Sequence, residues 1–177
     1  MENYIEVNPT IKKQEICLLL EKMNCQYEIH TSDTDKEYEY LDEHDICITV
    51  LNPSSKYPLY IDLEESGEFR LTYDQWHQHY FAEEWDYDNL RENLIDILTN
   101  NRCVIIISSS KRCLLSKLSR AKIGKDYNYS NDIKELPEEF QKEINELKGK
   151  VELVYWDTKE SVAIGLIFLA TSTTLLG

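Results

Sequence analysis

The sequence is poor in the residues that bend or interrupt a chain, with only 5 Gly and 4 Pro among 177 residues. That scarcity excludes collagen-like, low-complexity and linker-rich architectures. A long apolar stretch is also missing. The longest uncharged segment, Ser161 to Gly177, has 17 residues, and its apolar part from Val162 to Ala170 gives way to Thr171-Ser172-Thr173-Thr174. A spanning helix needs about 20 apolar residues, so the segment predicts a buried final strand, Ser161 to Ala170, with a short tail and no membrane anchor. The five cysteines (Cys17, Cys25, Cys47, Cys103 and Cys113) form no CxxC pair. The opening MENYIEVNPTIKKQ lacks the charged-then-apolar layout of a signal peptide. These features predict reduced, mostly buried thiols in a cytoplasmic protein. Asn128-Tyr129-Ser130 is then a chance match to a glycosylation sequon.

Catalytic signatures are equally scarce. There is no P-loop, GxGxxG, HExxH or GxSxG in the chain. Asp33-Thr34-Asp35 begins like a calcium loop, but Tyr38 stands where Gly is needed and His44 where Glu is needed. Ser108-Ser109-Ser110-Lys111 fits SxxK, yet it leaves a strand instead of opening a helix and its partner motifs are missing. The expectation is a protein without enzymatic activity or cofactor.

What the chain does have is apolar mass and acid. Hydrophobic residues make up 42% of it and there are 12 Tyr, enough for a real core. Acids outnumber bases 33 to 19, a net charge of −14. Such a chain repels phosphate backbones, which argues against direct nucleic-acid binding, and attracts a basic protein partner. The excess is uneven. Glu28 to Asp96 holds 19 acids and 4 bases, whereas Arg102 to Lys125 holds seven bases and no acid. The basic stretch either forms a patch of its own or folds back to neutralise acids.

Hydrophobic spacing predicts a helix over 10–23, capped by Thr10, with Ile11, Ile16, Leu19, Leu20 and Met23 at three- and four-residue steps. Strands follow at 26–30 and 45–51, separated by an exposed acidic loop or hairpin from Thr31 to Glu43. Over 57–73, Tyr57, Leu59, Ile61 and Leu63, then Phe69, Leu71 and Tyr73, alternate with polar residues about Glu65-Ser66-Gly67, the pattern of a hairpin with one buried face. A helix over 86–99 is capped by Asp86 or Asp88 and ended by Asn100-Asn101. Cys103 to Ile107 is continuously apolar, as a strand covered on both faces requires. A strand at 113–119, a Tyr/Asn-rich loop at 126–132, a helix from Pro137 to Lys148 stopped by Gly149, and strands at 151–156 and 161–170 complete the chain. The architecture expected is a single α+β domain over residues 1–177, a mainly antiparallel sheet with about three helices packed on it.

Two clusters carry candidate function. Asp33, Asp35, Glu37, Glu39, Asp42 and Glu43 are dense and interleaved with Tyr38 and Tyr40. Acids steer a basic partner and Tyr supplies anchoring contacts, so these residues, with Glu83, Glu84 and Asp86, are the expected partner-facing set. In Trp76-His77-Gln78-His79-Tyr80 the two imidazoles share one side of an extended segment. With Glu83 and Glu84 nearby, His77 and His79 define the alternative, a small metal-binding protein or metal-dependent hydrolase. The structural reading of the same segment is that it caps the end of the hairpin, with Trp76 and His77 packed.

Tyr57-Pro58-Leu59-Tyr60-Ile61-Asp62-Leu63, Gly67-Glu68-Phe69-Arg70-Leu71 and Trp76 to Tyr80, together with the acidic linker, the helix around Leu90 to Leu98 and the strand from Cys103 to Ile107, resemble small bacterial immunity proteins found beside polymorphic or contact-dependent growth inhibition toxins. The resemblance covers residues 57–107 and is structural. It implies a cytoplasmic antitoxin that binds its own toxin domain, often a basic nuclease, and blocks it. It carries over no binding residues.

Overall fold

A computed structural model describes residues 8–81, 83–119 and 129–165. Helix α1 is Pro9–Lys22, with strands β1 (Tyr27–His30), β2 (Ile46–Val50), β3 (Leu59–Leu63), β4 (Glu68–Tyr73) and β5 (Trp76–Phe81). Then come α2 (Glu84–Leu98), β6 (Cys103–Ser108), β7 (Cys113–Ser119), α3 (Tyr129–Glu135), α4 (Glu138–Glu146), β8 (Lys150–Val154) and β9 (Val162–Gly165). Short 3₁₀ turns occupy Lys36–Tyr38 and Thr158–Glu160. The fold is α+β and antiparallel, as the patterning predicts, but the strands form two sheets. The first is a meander in the order β1-β2-β3-β4-β5, and the second runs β7-β6-β8-β9.

The alternation over 59–81 makes the first sheet one-sided. Leu59, Ile61, Leu63, Phe69, Leu71, Tyr73 and Tyr80 turn inward with Ile46, Ile48 and Val50, where Ile16 and Leu20 of α1 and Leu90, Leu94 and Ile97 of α2 cover them. Gly67 (φ 86°) lets the β3–β4 turn close tightly. β6 is buried along its whole length because it serves two cores. Val104 and Ile106 enter the first cluster, while Cys103, Ile105 and Ile107 enter a second with Val151, Leu153, Ile133 and Ile144. Polar bonds join the sheets at their margins. The Tyr73 hydroxyl donates to the Tyr155 carbonyl at 2.8 Å, and Asn52 Nδ2 donates to the Trp156 carbonyl at 3.0 Å.

Several local expectations change. Asn8 caps α1 in place of Thr10, because Pro9 occupies the first turn and the Asn8 side chain accepts the Thr10 N–H at 2.9 Å. Helix α2 begins at Glu84, two residues early, and neither Asp86 nor Asp88 caps it. Tyr57 lies before β3 and is exposed, with Lys56 over its ring. Trp76 is buried in the core and His77 is exposed, each on a full fifth strand of the meander. The described part of the Tyr/Asn-rich segment, 129–132, is helical, because Ile133 and Leu136 pack on the second core. Residues 126–128 of that segment lie outside the described residues. At the end of α4 the left-handed residue is Lys148 (φ 53°). Gly149 is required for another reason: a Cβ there would stand 2.5 Å from Ile144 Cγ2 and 3.3 Å from the Ser108 carbonyl oxygen. β9 ends at Gly165, and Val162 on it is exposed, so its described part is an edge strand. Residues 166–170 of the expected strand lie outside the described residues.

The basic stretch is largely matched inside the fold. Arg102 bonds Asp96 at 2.9 Å, Arg112 bonds Glu143 at 2.7 Å, and Lys117 pairs with Asp132. It therefore neutralises acids of α2, α3 and α4 and leaves the acids of 33–43 alone. Arg120, Lys122 and Lys125 lie outside the described residues. The Arg112 guanidinium, with the Ser109 hydroxyl, holds the Glu143 carboxyl below the usual carboxylate range.

Two outcomes follow from this packing. Gly149→Ala is expected to lower stability by about 1–3 kcal/mol through overpacking against Ile144, read as a lower urea midpoint at unchanged slope. Glu143 has a lowered folded-state pKa, so its contribution is present above the ordinary carboxylate range and is lost as pH falls below that range through the lowered folded value. Glu143→Gln removes that contribution. The gap in denaturation midpoint between wild type and variant should narrow from neutral to acidic pH.

Candidate functional site

The face of the first sheet opposite its core is polar, and strand register sets its layout. One cross-strand row runs His30, Cys47, Asp62, Arg70, His79, and the next runs Glu28, Thr49, Tyr60, Thr72, His77. The acidic segment after β1 folds back over the β1–β3 half of this face. Tyr38 stacks on the His30 ring at 3.9 Å and 7° between planes, and its hydroxyl lies 3.4 Å from Thr49 Oγ1. The Tyr40 hydroxyl donates to Asp62 Oδ1 at 3.3 Å. Asp35 caps the Lys36–Tyr38 turn, and Asp45, buried, accepts the backbone N–H groups of Asp42 and Glu65. The segment is thus clamped at both ends and along its middle.

The β3–β5 half stays open. Tyr40, Tyr60, Asp62, Arg70, Thr72 and His77 line a cavity of about 320 Å³ on it. Asp62 is only 2% exposed, and its Oδ2 accepts from Arg70 Nε at 2.9 Å and Nη2 at 2.6 Å. Burial and the Asp62 charge push the Tyr40 phenol above its ordinary range, and burial does the same for Tyr60. Both hydroxyls keep their protons and remain donors near neutral pH. Burial, reinforced by Asp62, pushes the Cys47 thiol up to about 12, which leaves it inert as a nucleophile.

Of the residues expected to face a partner, Asp33, Asp35, Glu37, Glu39, Tyr40, Asp42, Glu43, Glu83 and Glu84 are exposed. Among the described residues, Asp33, Glu37, Glu39, Asp42 and Glu43 enter no salt bridge. Two residues are corrected. Tyr38 is half-buried because its ring is spent on His30, so it anchors the segment to its own sheet. Asp86 is buried and accepts the Phe81 N–H at 2.7 Å, so it joins α2 to β5. Exposed beside it are two aromatics not expected from spacing, Phe81 (57%) and Trp85 (64%), the latter donating from Nε1 to Glu83 at 2.9 Å.

His77 and His79 do share a side, their rings 5.4 Å apart, and His79 pairs with Glu68. Among the described residues no three His, Cys, Asp or Glu side chains gather as a metal site. Sequence reasoning missed Tyr60, Asp62, Arg70 and Thr72. The available signal was the outward set of the hairpin alternation, which places Asp62 opposite Arg70.

No family model matches the chain, and no curated protein or solved structure matches it. Among the described residues no helix is long and apolar enough to cross a membrane.

The Asp62–Arg70 pair supplies a stability test. Removing Arg70 leaves a carboxylate buried without its cation. The guanidinium keeps about a third of its surface in water, so the cost falls below that of a fully buried pair. Arg70→Leu is expected to destabilise by about 2 kcal/mol in chemical denaturation, against roughly 0.5 kcal/mol or less for Glu37→Gln.

Proposed function

We propose that the protein is a bacterial immunity protein: a non-enzymatic, cytoplasmic antitoxin that binds a cognate toxin domain and neutralises it. The acidic segment 33–43 and the open sheet face beside it form the docking surface. The observation that carries this reading is a row of exposed acids, unpaired among the described residues, on a segment clamped to a sheet. Unpaired acids cost the free protein self-repulsion, and a basic partner relieves it. The clamp means that little chain entropy is lost on docking. Tyr and Arg, the residues that most often anchor interfaces, stand on the adjoining face as Tyr40, Tyr60 and Arg70. A basic nuclease suits this surface, since the acids can occupy the positions its phosphates would take.

The partner to test is the toxin domain encoded next to the gene. The two products should co-purify, and the protein should protect cells from the toxin. Failure of both removes the proposal. Asp35 is left intact as a cap, and Asp33, Glu37, Glu39 and Glu43 are changed to Asn or Gln. Association at low salt should slow about tenfold, the gap should close at high salt, and the denaturation midpoint should hold. An unchanged low-salt association rate would place the interface elsewhere.

A further inference from the structure

The cavity between Tyr40 and the open sheet face is of side-chain size, and its chemistry is more specific than that of the acids of the docking segment. Two of its six lining residues are tyrosines, and Tyr40 is 58% exposed. An aromatic ring presents a negative face to a cation. Asp62 lies at the base with both Arg70 bonds on Oδ2, while Oδ1 holds the Tyr40 hydroxyl only at a long 3.3 Å, and the Cys47 thiol also reaches the carboxylate from the covered side. The Arg70 charge is balanced by Asp62, so the lining carries no uncompensated positive charge to hold an anion. Glu37, which enters no salt bridge among the described residues, is close enough for its charge to act on Tyr60 of the lining.

Resting on the docking reading above, we infer that this cavity receives one arginine side chain of the partner, its guanidinium against the Tyr40 ring and within reach of Asp62 Oδ1. Arginine fits better than lysine on two grounds. Tyr40, Tyr60, His77 and Arg70 present planar groups against which a guanidinium stacks, and a guanidinium gives up water more readily than an ammonium. The Tyr40 hydroxyl gives way to the incoming donor, while the Asp62–Arg70 pair stays closed as the base. Tyr40 is therefore a specificity residue, and Asp62 and Arg70 are its support.

The test uses the full chain without any partner, so its failure is separable from failure of the immunity reading. The probes are N-acetyl-arginine methylamide, the lysine counterpart and the glutamate counterpart, followed by ¹H–¹⁵N correlation spectra. The arginine probe should shift the amides of Tyr60, Thr72 and His77 saturably and more tightly than the lysine probe. The glutamate probe should leave them in place. Tyr40→Ala should weaken arginine binding about threefold to fivefold, whereas Tyr40→Phe, which keeps the ring, should retain it. Lack of saturation, equal binding of lysine, matching shifts from glutamate, or indifference to Tyr40→Ala would each overturn the inference. A saturable arginine site in a protein that ignores the toxin would leave the cavity standing and remove the immunity reading alone.

Discussion

β6 is the strand on which the rest of the molecule depends. Its alternate side chains enter different cores, Val104 and Ile106 on one side and Cys103, Ile105 and Ile107 on the other. A strand buried on both faces must have an apolar layer on each. On one side that layer is the inner face of the first sheet with α1 and α2. On the other it is α3 and α4 laid across the second sheet. Each of these layers is amphipathic and would expose its apolar face if β6 were withdrawn. The hydrophobic area gathered around one six-residue strand therefore couples the N-terminal meander to the C-terminal helices.

With its inner face fixed by that core, the first sheet turns a polar face outward, and how it is covered decides what the surface offers. Tyr38 and Tyr40 take the acidic segment down onto β1, β2 and β3 and stop there. The covered half shields Cys47 from water and leaves Asp62 nearly buried at the edge of the cavity. The open half keeps Tyr60, Arg70, Thr72 and the two histidines within reach. Covering half a sheet in this way raises a charged ridge beside a polar floor. The ridge stays charged because the bases on and around β6 and β7 pair with acids of α2, α3 and α4.

Much of the fold was legible because period is a local property. Strict alternation from Leu59 to Tyr73 fixed the hairpin and its buried face, and the unbroken apolar run at Cys103 marked a central strand. Helix ends are less legible: the left-handed position after α4 falls on Lys148, a residue that rarely takes it, and the Asn8-Pro9 cap competes with Thr10 two residues on. Helix α3 was hidden for a different reason. Its first four residues favour loops, and burial of Ile133 and Leu136 against the second core, with the Lys117–Asp132 pair, favours the helix.

The sequence by itself determined most of the elements (neither α3 nor the full strand β5), the antiparallel pairing of neighbours and the concentration of acid before Asp96. These follow from spacing, turn residues and charge counts, which need no knowledge of distant contacts. Only the tertiary structure decided that the strands divide into two sheets, that Tyr38 faces inward while Tyr40 stays exposed, and that Asp86 is a buried acceptor. It also decided that Tyr60, Asp62, Arg70 and His77 share one cavity with Tyr40. Most of those outcomes depend on how separate elements pack, some across more than 20 positions of chain, as Tyr40 meets Asp62. Such meetings are set by packing of whole layers and have no signature in the local pattern.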